Sequence, residues 1–312
     1  MTDFILHHYD GSPFAEKIRL ILGFKQLPWA SVRIPVIMPK PDLVALTGGY
    51  RKTPVLQVGA DVYCDTALIA RVLDLAQPTT RPTPTLYPAS APLAPLVAQW
   101  ADSTLFWTVI PYTMQPAGLA HVFAGVPPEV LNAFAADRGP FTAGMKRQTV
   151  ADATAALRGY LAQLDAQLAD GRPWLMGAEA SIADFSVAHC AWYVRRGGPV
   201  ADILKPYAHF SAWLDRVLAG GHGQPSKLGS AEALEVAARA SHHAPCAVQP
   251  GLGYEPGQAV TVTPTDYGQD PVAGALVGLS NDAVVLRRND ERAGMVQVHF
   301  PRAGYQIKLE IA

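Results

Sequence analysis

The sequence predicts three units in series: a compact α/β unit, an all-α helical domain and a small five-stranded β-barrel-like module. Three observations predict this. Strand-like and helix-like segments follow one another as βαβ-ββα within the first 77 residues. Apolar residues then recur at spacings of three and four up to about residue 222. The last 54 residues are short β-branched runs separated by turn residues. The expected boundaries are 1–77 for the α/β unit, 90–222 for the all-α domain, 223–258 for a linker with one short helix, and 259–312 for the β module. A length of 312 residues suits two or three domains.

The elements can be justified in order. Phe4-Ile5-Leu6-His7-His8-Tyr9 reads as a strand and Asp10-Gly11 as a turn. Ser12 then caps a helix that has Pro13 at its first position and Phe14, Ile18 and Leu22 on one face. Residues 29–34 read as a second strand, 53–58 as a third, and Gly59-Ala60-Asp61 as a hairpin turn into Val62-Tyr63. Asp65 caps the next helix, whose apolar face is Leu68, Ile69, Val72 and Leu73. Five prolines between residues 78 and 92 describe a stiff linker that does not pack. Leu93, Leu96, Val97, Trp100, Thr104 and Trp107 open the helical domain. Ala153 to Leu168 continues it, with Gly171 as a stop, and a helix begun at Pro206 ends at Gly220-Gly221. Residues 220–225 read as a second linker and 231–240 as a short helix. Five strands follow from Val260 to Ile311, alternating in and out as in Val296-Gln297-Val298-His299-Phe300. They are expected to form an independent unit that docks through the short helix. Such a unit would leave ligand binding by the first two domains intact, and would stabilise the fold, shield the cleft between them or recruit a partner.

Composition excludes some classes. A net charge of −1 gives no argument for nucleic acid or an anionic membrane surface. No apolar run approaches the ~20 residues of a membrane helix, and residues 1–10 carry no basic leader. Cys64, Cys190 and Cys246 form neither a zinc spacing nor a disulfide framework, so a reducing, cytoplasmic setting is expected. His7-His8 and His242-His243 with Cys246 lack a full ligand set at metal spacing, and no metal is expected there.

Three local patterns carry a family resemblance. They are Ser12-Pro13-Phe14-Ala15-Glu16-Lys17-Ile18-Arg19-Leu20; Thr53-Pro54-Val55-Leu56 followed by Asp65-Thr66-Ala67; and Arg172-Pro173-Trp174-Leu175-Met176-Gly177 followed by Ser181-Ile182-Ala183-Asp184. In this order and spacing, over residues 4–220, they resemble the glutathione transferase superfamily. The first is similar to the strand-to-helix turn of the tau and omega classes. The resemblance implies a thioredoxin-like first unit, glutathione as co-substrate, a hydrophobic small molecule as second substrate, and a two-fold homodimer. The last ninety residues lie outside the family's core pattern.

The resemblance also implies residue roles. Ser12, at a helix N-terminus, would donate to the glutathione thiolate, where the omega class has a cysteine. Serine there points to conjugation, substitution or isomerisation; capping alone is the plainer role. Tyr9 is a rival donor, with packing at the strand end as its plainer role. Pro54 would be cis and let Val55 pair with the cysteinyl part of glutathione, next to Phe14 and Thr53. Asp65 and Thr66 would hold the γ-glutamyl ammonium and carboxylate, with threonine in place of the usual serine. Arg51 and Lys52 would pair with the glycyl carboxylate. Ser181 and Asp184 read as a structural capping box. Trp100, Ser103, Phe106, Trp107, Ile110 and Tyr112 are candidate walls for the second substrate, with Trp100 and Trp107 facing one way and Ser103 and Phe106 another. A non-catalytic binding or scaffold protein, and a glutathione-dependent isomerase or dehalogenase, stand as alternatives.

Overall fold

The computed structural model describes residues 4–76 and 83–310. The first unit runs β1 (Phe4–His8), α1 (Pro13–Phe24), β2 (Trp29–Arg33), α2 (Pro41–Thr47), β3 (Val55–Val58), β4 (Asp61–Cys64) and α3 (Thr66–Leu75). β1 pairs parallel with β2 and antiparallel with β3, and β3 pairs antiparallel with β4. Ile18 and Leu22 of α1 and Ile69 and Leu73 of α3 join the larger core, which continues into the helical domain. Leu43 and Leu46 of α2 pack with Ile5, Val32 and Val62 in a second core. α2 escaped the sequence reading because it is short; it begins at Pro41 and ends where Gly48 adopts φ +77°.

His7 and His8 point inward. His7 hydrogen-bonds Gln57 at 2.8 Å, and His8 lies 2.9 Å from Ser31 and 3.0 Å from Arg19. Burial lowers His7 to about 4 and, with help from the Arg19 charge, His8 to about 3, so both are neutral core groups at neutral pH.

The helical domain holds α4 (Ala94–Trp100), a π turn (Ala101–Leu105), α5 (Phe106–Thr113), α6 (Pro116–Val122), α7 (Pro128–Phe141), α8 (Val150–Leu168), α9 (Ile182–Arg195), a 3₁₀ segment (Gly198–Leu204) and α10 (Ala208–Ala219). Asp184 holds the entry to α9 as the capping pattern requires. It accepts from the Ser181 N–H and the Leu175 N–H, both at 2.8 Å, and from the Trp213 indole at 2.9 Å. The approach to this domain differs from expectation. Pro78 and Pro82 lie outside the described residues, but the remainder is packed. Leu86 is fully buried, its N–H donates to Asp74 at 2.7 Å, and its carbonyl accepts from Ile182. Lys25 reaches the Pro84 carbonyl. Among the described residues no helix is long and apolar enough to cross a membrane.

After α10 the chain returns to the first sheet. β5 (Pro225–Lys227), inside what reads as a linker, pairs parallel with β2. α11 (Ser230–Arg239) packs on α2 and β2 through Ala233, Leu234 and Ala237. Then come β6 (Ala259–Pro264), β7 (Val272–Leu279), β8 (Ala283–Asp290), β9 (Gly294–Pro301) and β10 (Tyr305–Leu309), all at the expected places. Their independence is the expectation that fails. β9 pairs parallel with β4, Asp61 opposite Gln297 and Tyr63 opposite His299. The result is one ten-stranded sheet in the order β10-β6-β7-β8-β9-β4-β3-β1-β2-β5. The reason is physical: all four residues of β4 are buried, and a buried edge must find backbone partners. Val260, Leu276, Val298 and Phe300 therefore share a core with Ile5, Val55 and Val62. His299 seals the joint with a 2.6 Å bond to Asp61 and a 4.4 Å stack on Tyr63.

A buried ion pair joins the first unit to the helices. Lys17, on the inner face of α1, donates to Asp102 of the π turn at 2.5 Å and to Thr66 at 3.2 Å. Asp102 also meets His189 of α9 at 3.0 Å and Ser186 at 3.4 Å. Burial alone would raise the Asp102 carboxyl, but the Lys17 charge and the His189 hydrogen bond hold it below its ordinary value.

Two predictions follow from this packing. Phe300→Ala should cost about 3–5 kcal/mol, as emptying a fully buried aromatic site does. The variant should still melt in one transition by calorimetry; a separate transition for the C-terminal strands would show that they fold alone. Lys17→Met strands a largely buried carboxylate and should cost about 3–5 kcal/mol in urea unfolding, whereas Lys17→Met combined with Asp102→Leu should recover much of that loss.

Candidate functional site

The turn after β1 brings the first motif into the cleft between the α/β unit and the helices. The Ser12 N–H donates to the Tyr9 carbonyl at 3.2 Å, and Ser12 Oγ accepts from the Ala15 N–H at 3.2 Å. Ser12 is thus the N-cap of a twelve-residue helix with Pro13 at its first position. Its hydroxyl hydrogen meets no acceptor among the described residues and is available to a ligand. A second helix start lies nearby. Asp65, at φ +74°, caps α3 by accepting from the Ala67 N–H at 2.9 Å. Thr66 Oγ1 accepts from the Lys17 ammonium, so its own hydrogen is free to point elsewhere. The Thr53–Pro54 peptide bond is cis.

Two adjoining cavities occupy this cleft. One, of about 430 Å³, is the more polar of the two; Lys17, Asp65, Thr66, Arg71, Asp102 and Ser103 are among its walls. The other, of about 490 Å³, is apolar and contains Ser12 and Tyr9, with Phe106, Trp107, Ile110 and Phe141 opposite. Both volumes fall in the range of small-molecule pockets. Phe14, Lys52, Thr53 and Tyr267 line both and form the partition between them. Phe14 is wedged there, 4.6 Å from the Phe106 ring and 4.8 Å from His189.

Several expected residues stand elsewhere or are already engaged. Val55 lines neither cavity; it pairs with His7 of β1 and Cys64 of β4 inside the sheet, and Thr53 takes the place at the cleft. Arg51 is bound to Asp137 at 2.7 Å, and Lys52 to Asp266 at 2.5 Å, so neither guanidinium nor ammonium is an uncommitted cation. Tyr112 is buried in the helical core, its hydroxyl donating to the Val200 carbonyl at 2.7 Å. Trp100 packs edge-on against Tyr160 at 5.1 Å. The π turn explains the aromatic rearrangement. Its extra residue per turn rotates α5 relative to α4, so Trp107 faces the cleft with Phe106 while Trp100 does not. Ser103 reaches the polar cavity, its hydroxyl donating to the Gln99 carbonyl.

The largest omission from the sequence reading is the C-terminal strands. Tyr267, in the β6–β7 loop, lies between Trp107 and Phe141 at centroid distances of 5.0 and 5.1 Å, with the Lys52 ammonium 4.2 Å from its ring. Tyr305 of β10 donates to Asp65 Oδ2 at 3.0 Å and lies 2.7 Å from the Tyr50 hydroxyl. The carboxylate that caps α3 is therefore held from both ends. The expectation that the tail leaves the site untouched is overturned by these contacts. No local signal marks them, because each spans more than a hundred residues. Lys17 did leave a trace, as a lysine beside the apolar positions Ile18 and Leu22 of an inward-facing helix. Lys40 lines neither cavity but stands beside Thr53, which lines both. It is buried, forms no ion pair among the described residues, lies 3.4 Å from Thr53 Oγ1, and burial lowers its ammonium to about 8.

Comparisons with known proteins agree with this architecture. Residues 6–81 match the family described as "Glutathione S-transferase, N-terminal domain", and residues 147–216 that described as "Glutathione S-transferase, C-terminal domain". A crystal structure of a GST-like protein from Pseudomonas syringae is 40% identical, with a TM-score of 0.80, over 99% of this chain and 100% of that one. A glutathione S-transferase-like protein, tpcF, of Aspergillus fumigatus is 24% identical over 220 residues, 67% of this chain and 88% of that protein. The tau-class glutathione S-transferase of mango, 15% identical over 70% of this chain and 89% of that one, shares the fold at a TM-score of 0.51. With both halves of the fold matched and a 40% identical relative aligned end to end, the chain belongs to the glutathione transferase superfamily.

Proposed function

We propose that the protein is a glutathione-dependent transferase that activates the glutathione thiol at Ser12 for attack on a hydrophobic electrophile in the apolar cavity. The observation that carries this reading is Ser12 itself: a hydroxyl with a free hydrogen, at the start of a long helix, opening into an apolar cavity. Helix dipole and hydroxyl both favour an anion at that point, and the thiolate is the reactive form of the thiol. Asp65 would face the γ-glutamyl ammonium, and the Thr66 N–H and hydroxyl its carboxylate. The cysteinyl backbone would meet Thr53, not Val55. The glycyl carboxylate would pair with Lys40, since Arg51 and Lys52 already hold Asp137 and Asp266. In the reaction, the sulfur lone pair forms a bond to an electrophilic carbon. The displaced pair leaves with the leaving group or, in an addition, passes to the acceptor and is protonated by water.

A second reading, a non-catalytic binding protein of the same fold, is favoured by one feature. Tyr267 of the β6–β7 loop stands in the partition that a bound tripeptide would have to cross, and Asp266 beside it lines the first cavity. Calorimetric binding of glutathione without turnover of any electrophile would support it.

Ser12→Ala should raise the pKa of the bound thiol by about 1–2 units, the worth of one charge-assisted hydrogen bond, with glutathione affinity nearly unchanged. Ultraviolet titration of the bound thiolate measures this, and an unshifted titration would remove Ser12 from the role. For the glycyl end, Lys40→Met should weaken S-methylglutathione binding about tenfold. The unliganded ammonium titrates near 8, so wild-type affinity for this thiol-free ligand should fall as pH rises above about 8, and Lys40→Arg should abolish that fall.

The homodimer is proposed on exposed apolar surface. Leu75 at the end of α3 and Leu93 and Leu96 at the start of α4 are 85%, 57% and 62% exposed, an arrangement that pairs the first unit of one subunit with the helices of the other. Light scattering should give twice the 33.3 kDa chain mass, and Leu96→Glu should shift it toward the monomer.

A further inference from the structure

The apolar cavity contains a cation that forms no ion pair among the described residues. Arg196 follows α9 as its C-cap residue, and its guanidinium lies against Gly11, the residue before Ser12. Nη1 stands 3.3 Å from where a Cβ on Gly11 would be, a close approach to the backbone beside Ser12. Its recorded partner is the Trp192 ring, 5.0 Å away. The other charges of the cavity wall are paired. Arg51 and Arg138 share Asp137, with Asp270 4.0 Å from Arg51 at the edge. Lys52 holds Asp266, and Asp10 is paired with Arg33. The preceding residue, Arg195, is paired with Asp215 and points out of this cavity's wall. Arg196 makes no ion pair among the described residues and lines the cavity together with Ser12, Phe106, Met114 and Tyr193.

An unpaired guanidinium beside apolar walls is poorly solvated and attracts an anion more strongly than one in open water. Its planar fork also suits a carboxylate or sulfonate. We infer that the second substrate is an amphipathic anion: an aromatic or alkyl body seated against Phe106 and Trp107, with a carboxylate, sulfonate or phenolate paired to Arg196. This deepens the proposed function by naming the substrate class of the apolar cavity, and it rests on that cavity being the electrophile site.

The test uses two fluorescent probes that differ by one sulfonate, 8-anilinonaphthalene-1-sulfonate and neutral N-phenyl-1-naphthylamine, titrated into the full chain without glutathione. The wild type should bind the sulfonate more tightly, and added salt should weaken the sulfonate alone. Arg196→Gln should weaken the sulfonate about tenfold and leave the neutral probe within twofold, while Arg196→Lys should restore part of the loss. Equal affinity for the two probes in the wild type, or equal loss of both in Arg196→Gln, would overturn the inference. If Arg196→Gln does not fold, the salt dependence of the wild type decides. S-hexylglutathione should displace both probes. Displacement that fails while the Arg196 dependence persists would count against the glutathione reading and not against the anion site. One further arm separates two roles of the guanidinium: if Arg196→Gln raises the pKa of bound glutathione thiol without changing sulfonate affinity, the residue serves the thiolate and the inference is wrong.

Discussion

Everything distinctive about this molecule depends on the parallel pairing of β4 with β9. β4 is short and entirely buried, and without a neighbour its outer backbone groups would be desolvated and unpaired. β9 supplies the neighbour, and the His299–Asp61 bond fixes the register of the two strands. Once that register is set, the meander that follows has little freedom. The β6–β7 loop falls over the cleft, where Tyr267 enters between Trp107 and Phe141, and the short turn after β9 leads into β10, which carries Tyr305 to Asp65. A backbone requirement at one sheet edge thereby places side chains at a ligand cavity some distance away.

What the sequence made legible was what local physics determines. The N-caps Ser12 and Asp65, the proline before Val55 and the Ser181–Asp184 box all act within three residues of themselves, and each is where its motif puts it. The five C-terminal strands were legible from alternation alone. Side-chain destinations that depend on distant elements were not. Arg51 and Lys52 looked like free surface cations, yet their carboxylates come from α7 and from the β6–β7 loop. Tyr112 looked like part of a wall until the π turn was seen to change the helix phase ahead of it. The meander's attachment was invisible because alternation says which face of a strand is buried and nothing about which strand lies beside it.

The cleft also divides its electrostatic labour. Its polar half keeps opposite charges close: Lys17 with Asp102, Lys52 with Asp266, and Asp65 held by a tyrosine hydroxyl. Such pairs are rigid and nearly neutral, suited to orienting a zwitterionic ligand. The apolar half pairs Asp10, Arg51, Lys52 and Arg138 and leaves Arg196 without an ion pair among the described residues. Under the proposed function, recognition in the first would be by matching many fixed dipoles, and in the second by a single strong attraction within a shape defined by aromatic rings.

The β4–β9 joint has a consequence for synthesis on the ribosome. Asp61 precedes His299 by 238 residues, which at ordinary elongation rates is roughly 10 to 50 seconds of translation. During that interval the first unit can fold, but the outer edge of β4 has no strand to meet. An uncovered sheet edge is a template for pairing with other chains. The nascent protein therefore passes through a period in which its most adhesive surface is the one its own last strands will cover, and slow translation or a truncated message prolongs that exposure.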